Sequence, residues 1–248
     1  MLSELGPWIL AAVVLASFAT SVVHGATGIG GGFLMAIVLA PLIGVVAVVP
    51  VLAVSLTLSG VARVFFNRDA FHRGAYQWIA LTMLPGVVAG ALIYASLNAT
   101  AIAVILGTTI LLSVPLRHVA ARRRIVAGPR ALMGAGSVYG LASGASIGAG
   151  MLLIPFMLGH GLDRRQFVGT LAAIALTMNA TRTAVYGGTD LLAGGWLALG
   201  LLCGLATLPG NWVGQRMLRG MGEARHAVVI DVLTVFGGLN FFRIALTG

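Results

Sequence analysis

The sequence predicts an all-α integral membrane protein made of two inverted repeats, each with about four hydrophobic segments and one glycine-interrupted helix. The 248 residues are 59% hydrophobic and only 8% charged, with a mean hydropathy of +1.03. Such a chain lacks the polar residues that cover a water-exposed surface. Long apolar runs recur along it, and two of them share a glycine-rich interruption. The composition excludes a soluble enzyme, a disordered tail and a secreted disulfide module.

The charge distribution indicates membrane loops rather than a nucleic-acid surface. All fifteen cations are Arg, the formal net charge is +9, and most of the Arg lie in short gaps between apolar runs. Such placement is typical of cytoplasmic loops in membrane proteins, whereas phosphate binding needs a continuous basic face. Cys203, the only cysteine, lies inside an apolar run, which excludes a disulfide framework and a thiolate metal site. We expect no nucleic-acid partner and no cofactor.

Eight apolar runs predict helices that lie in a lipid bilayer. A helix needs about 20 apolar residues to cross the hydrocarbon core, and continuous rather than alternating apolar runs favour helices over a β-barrel. The N-terminus carries Glu4 instead of a basic stretch, so we expect no cleavable signal peptide. The runs are Trp8–Pro41, Val45–Phe66, Tyr76–Leu97, Ala101–Leu116, Ala131–Leu158, Phe167–Tyr186, Trp196–Val213 and Ala227–Leu246.

The first and fifth runs contain the glycine-rich interruptions. The first reads His24-Gly-Ala-Thr-Gly-Ile-Gly-Gly-Gly32, and the fifth reads Ser143-Gly-Ala-Ser-Ile-Gly-Ala-Gly150. Small residues also allow close packing between membrane helices. Each glycine nevertheless costs a helix about 1 kcal/mol relative to alanine, and the four glycines within Gly28–Gly32 exceed what packing requires. We therefore expect a break at membrane depth in each of these two helices.

The interruptions also indicate an internal repeat. Gly30 and Gly148 are 118 positions apart, and with one residue of slip Arg63 aligns with Arg182. Self-similarity at a fixed spacing is the sequence signature of duplicated structural units. We expect two repeats within one membrane domain, at residues 1–125 and 126–248.

The positions of the arginines predict that the two repeats are inverted. Positively charged loops face the cytoplasm, which places loops 67–74, 117–130 and 216–225 inside, together with Arg164 and Arg165. The loop 187–195 has no Arg and is expected outside. These assignments agree if the fifth run is a re-entrant hairpin that enters and leaves on the cytoplasmic side. The alternative, one simple crossing, leaves Arg164 and Arg165 outside.

Inverted repeats with interrupted helices are the architecture of secondary transporters, whose binding sites lie where the breaks meet. A helix that begins at a break presents free backbone N–H groups and the positive end of its dipole, and glycine lets an oxyanion approach them. Hydroxyl groups of Thr27 and Ser146 add donors. The candidate substrate-binding residues are His24, Thr27, Gly28, Gly30, Gly31, Gly32, Ser146, Gly148, Ala149, Gly150, Asn179 and Arg182.

Several polar side chains in the runs have two interpretations. Arg182 either snorkels to the outer interface or attracts the anion at the outer mouth of the pathway. Arg63, its counterpart near the inner face, is expected to snorkel. Asn179 suits both an interhelical hydrogen bond and a substrate contact. His24 either caps freed backbone at the break as a neutral group or carries a proton.

At the glycine segments the chain resembles the sulfite exporter TauE/SafE family, also called the toluenesulfonate uptake permease family. The similar segments are Gly28-Ile-Gly-Gly-Gly-Phe-Leu34, Gly144-Ala-Ser-Ile-Gly-Ala-Gly-Met-Leu-Leu-Ile-Pro155, Arg164-Arg-Gln-Phe-Val-Gly-Thr170 and Pro209-Gly-Asn-Trp-Val-Gly214 followed by Arg216. The resemblance implies a multi-pass protein of the bacterial inner membrane that transports a small sulfur-containing or organic anion. Sulfite and organosulfonates such as sulfoacetate are the implied substrates.

Two other classes were compared with a secondary transporter. A passive anion channel is the closer alternative, since glycine-hinged hairpins also build pores. An intramembrane serine protease would need a histidine base near Ser143 or Ser146, and His160 and His226 lie at the ends of runs. No nucleotide-binding motif is present, so we expect no ATP-driven step and no enzyme activity. The expected partners are a small anionic solute and the lipid bilayer, and a homodimer is left open.

Overall fold

A computed structural model of the chain describes residues 6–27, 31–122, 126–147, 149–217 and 235–246. Within these ranges the regular structure is helical, and no strand is present. The helices are α1 (Pro7–Thr27), α2 (Gly31–Ile43), α3 (Val45–Asn67), α4 (Arg73–Ser96), α5 (Ala99–Arg122), α6 (Pro129–Ala145), α7 (Ile154–Gly159), α8 (Arg164–Gly187), α9 (Trp196–Met217) and α10 (Val235–Leu246). Short 3-10 turns span Arg68–Ala70, Ala149–Leu153 and Asp190–Leu192.

Three of the described helices have the length and composition of membrane-spanning segments. Three stretches, Val45–Ala70, Arg73–Ser96 and Trp196–Gly214, are long and apolar enough to cross a membrane. Large apolar side chains on the outside of the bundle, such as Phe66 and Leu81, are more than half exposed. Extensive exposed apolar surface marks contact with lipid or another apolar partner. The described structure is that of an all-α membrane protein, as the composition predicts.

The two glycine segments are followed by different structures. α1 ends at Thr27, and the 13-residue helix α2 begins at Gly31. α6 ends at Ala145, and Ser146 then has an extended backbone (φ −152°, ψ −168°). Beyond it, the chain forms the 3-10 turn Ala149–Leu153 and the six-residue helix α7. Only the first segment therefore leads directly into a helix of several turns.

Helix α4 packs closely against α6 through the motif Leu-Pro-Gly-x-x-x-Gly at Leu84–Gly90. A Cβ atom added to Gly86 would lie 3.0 Å from the carbonyl oxygen of Ser137, and Gly90 approaches the carbonyl of Leu141 even more closely. Residue numbers rise together along the two helices, so α4 and α6 run parallel. Backbone approaches backbone here because glycine has no side chain in the way.

Helix α9 packs against α1 through the same motif, at Leu208–Gly214. A Cβ atom added to Gly210 would lie 2.6 Å from the carbonyl oxygen of Phe18, and Gly214 contacts the carbonyl of Val22. These two helices also run parallel. The motif on α4, in the first half of the sequence, therefore contacts α6, the first helix of the second half. The motif on α9, in the second half, contacts α1, the first helix of the first half.

Helices α3 and α8 cross at the centre of the bundle. A Cβ atom added to Gly60 would lie 3.3 Å from the Cα atom of Leu176. Nearby, the hydroxyl oxygens of Thr57 and Thr183 are 3.3 Å apart. Residue numbers rise on one helix as they fall on the other, so α3 and α8 are antiparallel. The site described below lies along this crossing.

Candidate functional site

Arg182 on α8 is the largest fully buried side chain among the described residues, with 2% of its surface exposed. Its Nη1 atom donates to the sulfur of Met178 at 3.8 Å, and its guanidinium carbon lies 5.9 Å from the centroid of the Tyr186 ring. The Nε and Nη2 atoms have no hydrogen-bond partner among the described residues. Of the two interpretations of Arg182, snorkelling to the outer interface does not agree with this burial, because the charge lies inside the protein.

No carboxylate compensates this charge within the described part of the chain. Asp69 pairs with Arg68 at 3.9 Å on the surface, and Asp163 caps α8 by accepting a hydrogen bond from the Gln166 backbone N–H. A guanidinium stays protonated in proteins, and a buried charge without a counter-charge is strongly unfavourable. Arg182 is thus a buried positive centre whose donors remain available to an anion.

Three buried tyrosines surround Arg182. The hydroxyl of Tyr186 donates to the carbonyl of Gly144 at 3.0 Å, which ties α8 to the end of α6. Tyr94 on α4 packs against Tyr186 with 5.6 Å between ring centroids. Tyr139 on α6 lies within electrostatic range of Arg182. The hydroxyl groups supply polar contacts where the surrounding helices are otherwise apolar.

Ser146 and Asn179 bring further unsatisfied polar groups to this region. Ser146 is 1% exposed, and its hydroxyl has no hydrogen-bond partner among the described residues. Asn179 is also buried; its Nδ2 atom donates to the carbonyl of Ala175 at 2.8 Å, whereas its Oδ1 atom has no described partner. Buried polar atoms are rarely left unpaired, so such a group is a candidate ligand contact.

The two glycine segments meet at Gly32 and Ile147. A Cβ atom added to Gly32 would lie 3.2 Å from the Cγ2 atom of Ile147 and equally far from Leu56 of α3. Ile147 follows Ser146 directly, so the start of α2 lies next to the extended residue that ends α6. The Cβ position of Gly150 faces open space, with no described atom within 4 Å.

The other predicted site residues are described in part or not at all. His24 and Thr27 belong to the last turn of α1, Gly31 begins α2, and Ala149 is buried at the start of its 3-10 turn. Gly28, Gly30 and Gly148 lie outside the described residues. After Gly150 the chain continues as a 3-10 turn to Leu153, and the short helix α7 begins at Ile154. The helix dipole at the first segment comes from α2, and the one at the second segment comes from this turn and α7.

Two cavities lie at opposite ends of the α3–α8 crossing. The first, of about 850 Å³, is lined by the start of α3, the 190–196 loop and α10, and contains Asp190 and Arg243. Its wall at Val45 and Val46 accepts hydrogen bonds from the hydroxyl of Tyr94 at 3.0 Å each. The second, of about 360 Å³, lies at the α3–α4 turn and is lined by Val64, Asn67, Arg68, Phe71, Tyr76 and Thr177, among others.

The sequence interpretation did not include the tyrosines. Tyr94, Tyr139 and Tyr186 stand inside apolar runs, where a phenol hydroxyl needs a hydrogen-bond partner. This requirement predicts polar contacts at three of the four tyrosines in the chain. All three are buried near Arg182. Which helices they join could be known only from the packing.

Comparison with known proteins identifies the family of the chain. A family model described as Sulfite exporter TauE/SafE matches residues 13–241, which is nearly the whole chain. No curated protein and no solved structure gives a significant match. A match of this extent includes both glycine segments, both copies of the packing motif and Arg182. The chain belongs to the sulfite exporter TauE/SafE family of membrane transporters.

Proposed function

We propose that this chain is a secondary transporter of the bacterial inner membrane for a small anion, sulfite or an organosulfonate such as sulfoacetate. The observation that carries the proposal is the burial of Arg182 without a carboxylate partner among the described residues. A bound oxyanion would supply the missing counter-charge. Membership of a sulfur-anion exporter family supports the same substrate class.

The donors around Arg182 suit a sulfur oxyanion. A guanidinium offers a planar set of N–H groups that matches two oxygens of one anion. The hydroxyl of Ser146 can donate to a third oxygen, and the backbone N–H groups at the start of α2 add the positive end of a helix dipole. The Asn179 amide is a further candidate contact, and the open Cβ position of Gly150 leaves room for the ligand.

We further propose that residues 1–125 and 126–248 are inverted repeats. The packing supports this, because the contacts Gly90–Leu141 and Gly214–Val22 correspond to each other. Each joins the helix that carries the Leu-Pro-Gly motif in one half to the first helix of the other half. The equivalent helices α3 and α8 are antiparallel, which is the relation expected across a two-fold axis in the membrane plane.

The same contacts support a re-entrant hairpin in each half. α1 and α3 both run parallel to α9, since Phe18 lies at Gly210 and Val54 at Gly200. α1 and α3 are therefore parallel to each other. Because α2 connects the end of α1 to the start of α3, the chain must run back in the opposite direction along α2. This agrees with α1 and α2 forming a hairpin whose hinge is the first glycine segment.

A carrier fits the site better than the alternative of a passive channel. Arg182 and the three tyrosines are at most 2% exposed, so the candidate anion position is closed to both cavities. Carriers enclose their substrate during alternating access, whereas a channel needs a continuous path.

The test is sulfite transport by purified protein in liposomes, with Arg182→Gln and Arg182→Lys variants. Loss of charge-assisted hydrogen bonds predicts that Arg182→Gln weakens sulfite binding by about 10-fold or more. Arg130→Gln is the matched control, because that arginine is exposed at the start of α6 and lines neither cavity. Unchanged sulfite binding in Arg182→Gln would overturn the proposed site.

A flux screen then identifies the anion. We expect saturable flux for sulfite or sulfoacetate and much weaker flux for taurine, sulfate and short carboxylates. Flux that rises linearly with concentration would instead favour the channel.

A further inference from the structure

We propose that Arg63 forms a second anion position, which accepts the substrate from Arg182 on the opposite side of the α3–α8 crossing. This inference rests on the proposed function, because it requires an anion at Arg182. It adds a residue outside the candidate site predicted from the sequence. The substrate class is the same, a small sulfur oxyanion.

The first support is the placement of the two arginines relative to the crossing. Arg63 follows the contact residue Gly60 by three positions on α3, and Arg182 follows Asn179 by three positions on α8. Phe18 and Ser137, which contact the first glycine of the two motifs, are 119 positions apart. At the same spacing, Gly60 corresponds to Asn179 and Arg63 corresponds to Arg182.

The antiparallel arrangement puts the arginines on opposite sides of the crossing. Three helical residues advance the chain by about 4.5 Å, so each arginine lies roughly one turn from the crossing, in opposite directions. Arg63 therefore lies on one side of the α3–α8 crossing, and Arg182 lies on the other.

The second support is Tyr139, which lies within electrostatic range of both Arg63 and Arg182. It is 2% exposed and belongs to α6, the helix that ends at Ser146. Because this phenol interacts electrostatically with both guanidinium groups, an anion that moves from one to the other can contact its hydroxyl. The hydroxyl can donate to the anion during that step, when the oxyanion has left one arginine and has not reached the next.

The third support is the cavity at the α3–α4 turn. Val64 and Asn67 line it, and the Nδ2 atom of Asn67 donates to the carbonyl of Arg63 at 2.8 Å. Arg63 is half-buried, in contrast to the fully buried Arg182. The second anion position thus lies between the closed centre and a cavity on the side that carries Arg68.

A similar sequence of contacts leads to the larger cavity. Tyr94 hydrogen-bonds to the cavity wall at Val45 and packs on Tyr186, which in turn covers Arg182. In this proposal the anion moves from the large cavity past the Tyr94–Tyr186 pair to Arg182, and then past Tyr139 to Arg63 and the smaller cavity. Two positions of like charge let the anion leave the first arginine while its own charge becomes compensated by the second.

The experiment separates binding from turnover. Equilibrium binding of radiolabelled sulfite to the purified full chain is measured beside sulfite flux in liposomes, for Arg63→Gln, Arg63→Lys, Arg182→Gln and the exposed control Arg130→Gln. We expect Arg63→Gln to keep sulfite binding within about 2-fold of the wild type and to lower turnover by about 10-fold. Arg63→Lys should restore part of the turnover, because the cation is retained.

The outcomes distinguish the two proposals. Wild-type turnover in Arg63→Gln, together with lost binding in Arg182→Gln, would overturn the second anion position and leave the proposed function intact. Equal loss of binding in both variants would mean one shared site and would also overturn it. Normal binding in Arg182→Gln would contradict the proposed function itself.

A second variant guards against misfolding. If Arg63→Gln does not purify as a monodisperse protein, Tyr139→Phe tests the same transfer without changing an arginine. It should slow turnover several-fold while sulfite binding stays at the wild-type level. Unchanged turnover in Tyr139→Phe would contradict the transfer past this residue.

Discussion

The two halves of the molecule share their packing but differ in their polar chemistry. The motif on α4 contacts α6 as the motif on α9 contacts α1. In contrast, the second half has Ser146 where the first has Gly28, and Asn179 where the first has Gly60. Its arginine is also the one that is fully buried. The helix contacts are similar in the two halves, whereas the groups suited to hold an anion are concentrated in one half.

The largest effect should come from disturbing a shared helix contact. Gly90→Ala and Gly214→Ala each place a Cβ atom against a backbone carbonyl that cannot move aside. We expect both to lower the stability of the protein by about 3 kcal/mol, measured by thermal unfolding in detergent.

Gly134→Ala on α6 is the control, because its Cβ position meets no described atom within 4 Å. It should leave stability unchanged or raise it by up to about 1 kcal/mol through helix propensity. A large loss of stability in Gly90→Ala with none in Gly214→Ala would contradict the equivalence of the α4–α6 and α1–α9 contacts.

Removing the unsatisfied hydroxyl of Ser146 tests whether the polar chemistry resides in the second half. Ser146→Ala should weaken sulfite binding by about 10-fold if the hydroxyl donates to the anion, with thermal stability unchanged. Ser137→Ala is the control, because its exposed hydroxyl donates to the carbonyl of Met133. Wild-type affinity in Ser146→Ala would remove this residue from the site.

Equivalent glycines should respond differently to the same substitution. Gly32→Ala meets the side chains of Ile147 and Leu56 at 3.2 Å, so we expect a stability loss of about 1 kcal/mol. Gly150→Ala enters open space and should leave stability unchanged while lowering sulfite affinity several-fold. The comparison needs both melting curves and binding isotherms; identical profiles for the two variants would contradict it.

The smallest effect is expected at His24. We expect His24→Ala to leave the pH dependence of sulfite flux unchanged, since the interpretation as a neutral cap at the end of α1 requires no proton transfer. Flux measured between about pH 5.5 and 7.5, one unit to each side of the ordinary histidine pKa of about 6.5, tests this. Loss of the pH dependence would instead identify His24 as a proton carrier.

Much of the helical architecture could be predicted from the sequence because it follows from local properties. Continuous apolar runs demand helices in lipid, and α3, α4 and α9 match three predicted runs closely. The candidate role of Arg182 was also visible, since an arginine within an apolar run is rare. The burial of Arg182 could not be predicted. The helical period shows which residues share one face of a helix, but it does not identify the neighbouring helix that covers that face.

The duplicated packing motif was present in the sequence but was only partly used. Pro209–Gly214 was noted for its family resemblance, whereas the matching Pro85–Gly90, 124 positions earlier, was not. The glycine segments are 118 positions apart, so a search with one fixed spacing misses the second match. The 3-10 turn and the short α7 likewise depend on tertiary contacts and have no local signal comparable to an apolar run.

The exchange of helix contacts between halves has a consequence for biosynthesis. α1 leaves the ribosome well before α9, the helix that packs closely along it. α1 must therefore wait in the bilayer or the insertion machinery until α9 has been made. Truncated translation products should retain the α4–α6 pair and lack the α1–α9 pair, which makes α1 the segment most exposed to quality-control proteases.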